Sequence, residues 1–111
     1  MPGFPPPDYA EDIGDDHSIT WFGWYPDRDL NPQYADAADI PNMGVVVYHH
    51  RPGGEWCSGA IHFDRPEIRE LIGDRPVWQV MSMNPLHVEP SVLCKLCGDH
   101  GFIRDGRWVP A

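Results

Sequence analysis

Thirteen prolines are spread along this chain of 111 residues, with eleven glycines among them. Each proline removes a backbone donor and holds φ near one value, so it breaks helix interiors and is kept out of central strands. The chain is therefore expected to fold into short strands and frequent turns with little helix. Its length suits one domain. A small, turn-rich core often needs a staple, either a disulfide or a metal. Five tryptophans, four tyrosines and four phenylalanines supply much of the area that such a core can bury.

The cysteines decide which staple is expected. There are three, Cys57, Cys94 and Cys97, and an odd number fits a disulfide framework poorly. In Cys94-Lys95-Leu96-Cys97-Gly98 two thiolates three residues apart can chelate one tetrahedral ion where the backbone turns tightly, and the glycine accepts the conformation that follows. His100 is close enough in sequence to swing back onto the same ion. Cys57, the one remaining cysteine, is the leading fourth ligand, with His62, His87, His49 and His50 in reserve. The expected site is thus Cys57, Cys94, Cys97 and His100 around Zn2+, an ion suited to thiolate and imidazole and without redox chemistry. A redox dithiol is disfavoured because the pair does not sit between a strand and a long helix. His49 and His50 otherwise read as solvent-facing residues at a strand end, His62 as an ordinary strand residue and His17 as a solvated one.

Local patterns place the elements. Ser18–Tyr25, Met43–His50, Glu55–Phe63 and Val77–Met81 read as strands, the second and third joined by a turn at Pro52-Gly53-Gly54. Gly101–Ile103 and Arg107–Val109 flank an Asp105-Gly106 turn as a terminal hairpin. One short helix is expected over residues 65–72, with Asp64 and Glu67 forming a capping box and Gly73 ending it. A helical turn is allowed around Gln33–Ala38. The fold class expected is α+β: a small, mainly antiparallel β domain with one short helix and a zinc-knuckle-like C-terminal hairpin.

The formal charge of −9 is unevenly distributed. Residues 1–40 hold nine acidic side chains and one basic one, whereas residues 41–111 hold eight and seven. Lys95 is the only lysine, which argues against direct nucleic-acid binding through a broad basic surface. No run approaches the ~18–20 apolar residues of a membrane span. The opening residues show neither the basic region nor the apolar run of a secretion signal. Residues 1–17, proline-rich and acidic with Ile13 as their aliphatic anchor, are expected to form a flexible or partner-bound arm. Residues 18–111 then form the single zinc-stabilised domain.

The stretch from Glu89 to Trp108 has a further pattern: Pro90-Ser91, an aliphatic residue, the cysteine pair, His100, Phe102-Ile103-Arg104 and a glycine turn ending in Trp108. It resembles an uncharacterised family of small phage and bacterial proteins that often carry an ammonia monooxygenase label. The resemblance implies a zinc-stabilised β-rich module with Cys94, Cys97 and His100 at metal positions and Arg104-Asp105-Gly106 at a hairpin tip. Glu55–Gly59, which carries Cys57, is the counterpart of the family's upstream cysteine-bearing strand. The monooxygenase label finds no copper or di-iron ligand set in this sequence.

Catalytic patterns are otherwise sparse. Ser58, Ser82 and Ser91 lack a nucleophile elbow, no glycine loop suits a phosphate, and no carboxylate pair lies within an apolar segment. The expectation is a non-catalytic, zinc-stabilised binding module of bacteriophage origin, engaging a host or phage protein through its acidic N-terminal region. Its expected setting is the host cytoplasm. The alternatives are a virion component, such as a minor capsid or tail-associated protein, or a small zinc hydrolase if Cys57 is not a ligand.

Overall fold

The β-branched run Val45-Val46-Val47 lies in the strand around which the molecule is built. The structure is a computed structural model that describes residues 3–51 and 53–111. Met1 and Pro2 of the expected arm, and Pro52 of the expected turn, lie outside the described residues. Six strands form one sheet in sequence order: β1 (Glu11–Gly14), β2 (His17–Trp24), β3 (Ile40–His50), β4 (Trp56–Phe63), β5 (Val77–Met83) and β6 (Leu86–Glu89). A second sheet contains β7 (Val92–Leu93), β8 (His100–Arg104) and β9 (Arg107–Pro110). The helix α1 spans Pro66–Ile72 and connects β4 to β5, the one parallel pair in the main sheet. A crossover of this kind is what a parallel pair requires. The fold is therefore mostly β with one short helix, and the sheet curls so that β9 approaches β1.

The central hairpin takes its register from its turn. The Arg51 amide donates to the Glu55 carbonyl at 2.7 Å, and Gly54 donates back to the Arg51 carbonyl at 3.0 Å. Gly53 and Gly54 adopt positive φ, which glycine alone accepts freely. From that closure the pairing runs His49 to Cys57, Val47 to Gly59 and Val45 to Ile61. On the other side, β2 adds His17 beside His49, Ile19 beside Val47 and Trp21 beside Val45. Because side chains alternate along a strand, these residues share the inner face.

The core lies on that face. Val45, Ile61 and Phe63 are buried against Ile68 of α1, and Leu86, Val88, Ile103 and Trp108 close it from the C-terminal strands. The helix starts one residue later than the capping-box pattern indicates: Arg65 is the N-cap and makes no side-chain cap bond. Asp64 instead binds Arg69 through two carboxylate contacts of 2.5 and 3.1 Å, while Arg65 reaches the Asn42 carbonyl at 2.7 Å and ties the helix start to β3. Pairing with Arg69 removes the Asp64 carboxylate from the orphan amides that it would otherwise cap.

The acidic N-terminal segment departs from the reading as an arm outside the domain. Glu11–Gly14 pairs with β2, and Ile13 is among the most deeply buried residues. The physical reason is that one aliphatic anchor suffices when a sheet edge is available to complete its hydrogen bonds. Further upstream, the Gly3 amide donates to the Trp56 carbonyl at 2.9 Å. The terminal hairpin forms as expected, with Asp105 and Gly106 both at positive φ. Their backbone matches the twist of a two-residue hairpin turn. β1, β6 and β7 are strands that the sequence pattern did not disclose. The turn allowed at Gln33–Ala38 is a 3-10 turn at Pro32–Tyr34.

Candidate metal centre

Three strands in register bring His17, His49 and Cys57 into one row across the inner face. The loop between β7 and β8 folds over the end of that row. Its backbone is a tight turn: the Gly98 amide donates to the Cys94 carbonyl at 2.8 Å, and Cys94 donates to the Asp99 carbonyl at 2.7 Å. Gly98 sits at φ +81, a conformation strained for any other residue type. The turn directs the amides of Leu96 and Cys97 at the Cys94 sulfur, and the Asp99 amide at the Cys97 sulfur. Amides aimed at sulfur favour thiolate, the form that binds metal.

The result is a cluster of His49, Cys57, Cys94 and Cys97 whose ligand atoms all lie within 4.8 Å of one another. His49 and Cys57 are buried, and Cys94 and Cys97 are half-buried. The Cys57 and Cys97 sulfurs are 4.0 Å apart, and His49 Nε2 is 3.2 Å from the Cys97 sulfur. A tetrahedral zinc with bonds of ~2.3 Å to sulfur and ~2.0 Å to nitrogen spans about 3.8 Å between sulfurs and about 3.5 Å from sulfur to nitrogen. Both of these separations lie within a few tenths of an ångström of that geometry, and the remaining ones lie within 4.8 Å. All three cysteines are free thiols. Four protein donors of this kind can hold a metal ion.

Two of the expected ligands, Cys94 and Cys97, meet the third, Cys57, as the spacing and strand placement suggested. The fourth, His100, goes elsewhere. It is exposed, with its Nε2 2.7 Å from the Ser91 hydroxyl and its ring stacked on Phe102. His100 opposes Leu93 on the strand leaving the loop, and its bond to Ser91 leaves it outside the cluster. Its place is taken by His49. Of the other reserves, His50 lies tilted against Trp56 and binds Asp16, His62 packs edge-on against Phe22, and His87 pairs with Glu89. The signal for His49 was present in the chain. A hairpin closed at Arg51 and Glu55 puts residue 49 opposite residue 57, and 49 shares the parity of Val45 and Val47.

The surroundings tune the cluster. Burial holds the His49 imidazole below its ordinary pKa despite the nearby Asp99 carboxylate, which keeps it in the neutral, ligating form. Burial raises the Cys94 thiol, but amides and neighbouring thiols outweigh it and bring the group below the usual range. Burial, reinforced by Cys94 and Cys57, pushes the Cys97 thiol up, against the pull of the Asp99 amide. Three adjacent thiols resist simultaneous ionisation, and a bound cation relieves that repulsion. Arg51 Nε donates to the Cys57 sulfur at 3.0 Å and places a positive charge beside it.

Asp99 and His17 hold the loop against the sheet. His17 Nε2 lies 2.6 Å from an Asp99 carboxylate oxygen, and its Nδ1 lies 2.6 Å from the Asp15 carbonyl. Its ring stacks on Trp108 at 3.9 Å and, further off, on His49. A histidine read as solvated in an acidic arm is thus buried and links β2 to the ligand loop. Together with His49, His17 and Asp99 make a second grouping of potential ligand atoms beside the first. No protein-family model, curated protein or solved structure matches the chain.

Proposed function

We propose that this chain is a non-catalytic binding module of bacteriophage origin, stapled by one structural zinc ion. The observation that carries the reading is the convergence of His49, Cys57, Cys94 and Cys97 within 4.8 Å. Four protein donors complete a tetrahedral shell and leave no position for water or substrate, which is the signature of a structural site. Three thiolates and one imidazole favour zinc among the common divalent ions. The phage origin rests on the resemblance of residues 89–108.

The acidic N-terminal region is the surface assigned to a protein partner from host or phage. Asp12, Asp15 and Asp16 converge with Gly14 and Trp56 around one surface depression at the β1–β2 turn. A concentration of negative charge at one site steers association with a basic surface. Among the described residues, no helix is long and apolar enough to cross a membrane.

The test is elemental analysis combined with partner capture. Purified protein should hold about one zinc per chain, and strong chelators should remove the ion together with the near-ultraviolet circular dichroism of the tryptophans. Changing Asp12, Asp15 and Asp16 to asparagine should leave zinc content unchanged and abolish co-purification with the partner. A fixed copy number in purified virions would favour the virion-component reading instead. A metal-free chain with full native stability would reject the zinc staple.

A further inference from the structure

The loop between β2 and β3, residues 25–39, is folded back on itself. Arg28 donates to the Ala37 carbonyl at 2.6 Å and to the Asp39 carboxylate at 2.9 Å, and the Ala37 amide donates to the Tyr34 carbonyl at 3.0 Å. The 3-10 turn at Pro32–Tyr34, held in this way, sets Tyr34 against Trp24 at the end of β2. The two rings stand 4.9 Å apart, centroid to centroid, with their planes at 90°.

Both rings line a cavity of about 550 Å³, within the range of about 300–1,000 Å³ typical of small-molecule sites. Helix α1 lines it too, with Glu67, Glu70 and Leu71, and Asp39 adds a third carboxylate from the loop. Glu67 and Glu70 are three residues apart and so share one helix face. No lysine, arginine or histidine lines the cavity. Arg28 pairs with Asp39 and Arg65 with Glu67, whereas Glu70 has no ion-pair partner among the described residues. Aromatic faces and carboxylates both attract a cation. Which cation follows from the rest of the lining. Among the described residues, the three carboxylates do not gather within 4.8 Å of one another as a metal's ligands would. Trp24, Ile40 and Leu71 are apolar wall, where a bare ion would lose its water without replacement. A methylated ammonium spreads its charge over an apolar surface and suits such a wall.

We propose that this cavity binds a methylated ammonium group, with Trp24 and Tyr34 against its methyls and Glu70 opposing its charge. Choline-like small molecules and methylated lysine side chains present that same group. The site is independent of the zinc reading and of the acidic β1–β2 turn, since neither the cluster residues nor Asp12, Asp15 and Asp16 line the cavity.

The test titrates choline into the isotopically labelled full chain, beside its uncharged analogue in which carbon replaces the nitrogen. Choline should produce saturable shifts of the Trp24 indole N–H and of the Tyr34 and Glu70 amides. The uncharged analogue, equal in shape, should bind about tenfold more weakly. Tyr34→Leu should weaken choline binding by about the same factor. Glu70→Gln, an exposed change that leaves the loop intact, should weaken it about threefold at an unchanged melting temperature, and keeps the test decisive should Tyr34→Leu disorder the loop. A second titration uses trimethyllysine blocked at both ends. Tighter binding of that compound assigns the group to a partner's side chain, and tighter binding of choline assigns it to a free small molecule. Equal binding of choline and its uncharged analogue would overturn the proposal. So would shifts confined to Asp12, Asp15 and Asp16, or the lack of saturation by either ammonium ion.

Discussion

The two ends of the curled sheet carry side chains suited to different physics. At one end, Val45, Ile61 and Phe63 bury apolar surface against Ile68 of the helix. At the other, the same strands present His17, His49 and Cys57, and the loop carrying Cys94, Cys97 and Asp99 covers them. Apolar burial is non-directional and depends little on pH. Ligation is directional and requires deprotonated donors. One continuous sheet thus joins a region secured by area to one that, on the proposed reading, coordination secures, and a two-residue step along β3, from Val47 to His49, crosses the boundary.

The largest break in this comparison comes from the ligand loop. Apparent binding energies of structural zinc sites in small peptides run to roughly 10–16 kcal/mol, which matches or exceeds the total stability of a typical domain, about 5–15 kcal/mol. Replacing Cys94 and Cys97 together with serine should abolish zinc binding and the cooperative thermal transition. A full transition retained by that variant would mean that the apolar end holds the domain alone. Next in size is Phe63→Ala at the other end. Phe63 is fully buried and meets Trp21 edge-on, so the change should cost about 3–5 kcal/mol by chemical denaturation. Zinc stoichiometry of the folded fraction should not change.

Arg51→Met sharpens the coordination side. It removes the donor to the Cys57 sulfur and a compensating positive charge, so zinc affinity in a competition titration should drop by roughly tenfold, at the low end for a group supporting a ligand. The smallest effect concerns His62 on the outer face. Burial, with a contribution from Arg75, holds its pKa below the ordinary value of 6.5. The unfolded chain then takes up a proton before the folded one does as pH falls through that value, and stability declines until the folded imidazole is protonated too. His62→Gln should remove this increment. Denaturation midpoints of variant and wild type should keep a constant difference above pH 7 and diverge in the variant's favour towards pH 5.

What the sequence discloses follows the range of the interactions involved. The hairpins at Gly53-Gly54 and Asp105-Gly106, the short helix and the tight turn at residues 94–98 depend on neighbours in the chain, and their residues carry the pattern. β1 depends on an edge provided by β2, so Glu11–Gly14 has too little apolar content to announce itself. His100 was the local choice for a fourth ligand, three residues from Cys97. The structure brings His49 into the cluster instead because strand register, set at a turn two residues away, aligns it with Cys57. That register is legible once the hairpin is counted from its closing pair. Burial of His17 beneath the loop is not, since it requires three separate segments to meet.

X-ray absorption at the zinc edge of the purified protein tests the central claim most directly. The account predicts three sulfur scatterers at about 2.3 Å and one nitrogen at about 2.0 Å, with the imidazole contribution lost in His49→Ala and retained in His100→Ala. A shell with two sulfurs, an oxygen scatterer from bound water, or an imidazole signal that follows His100 would contradict it.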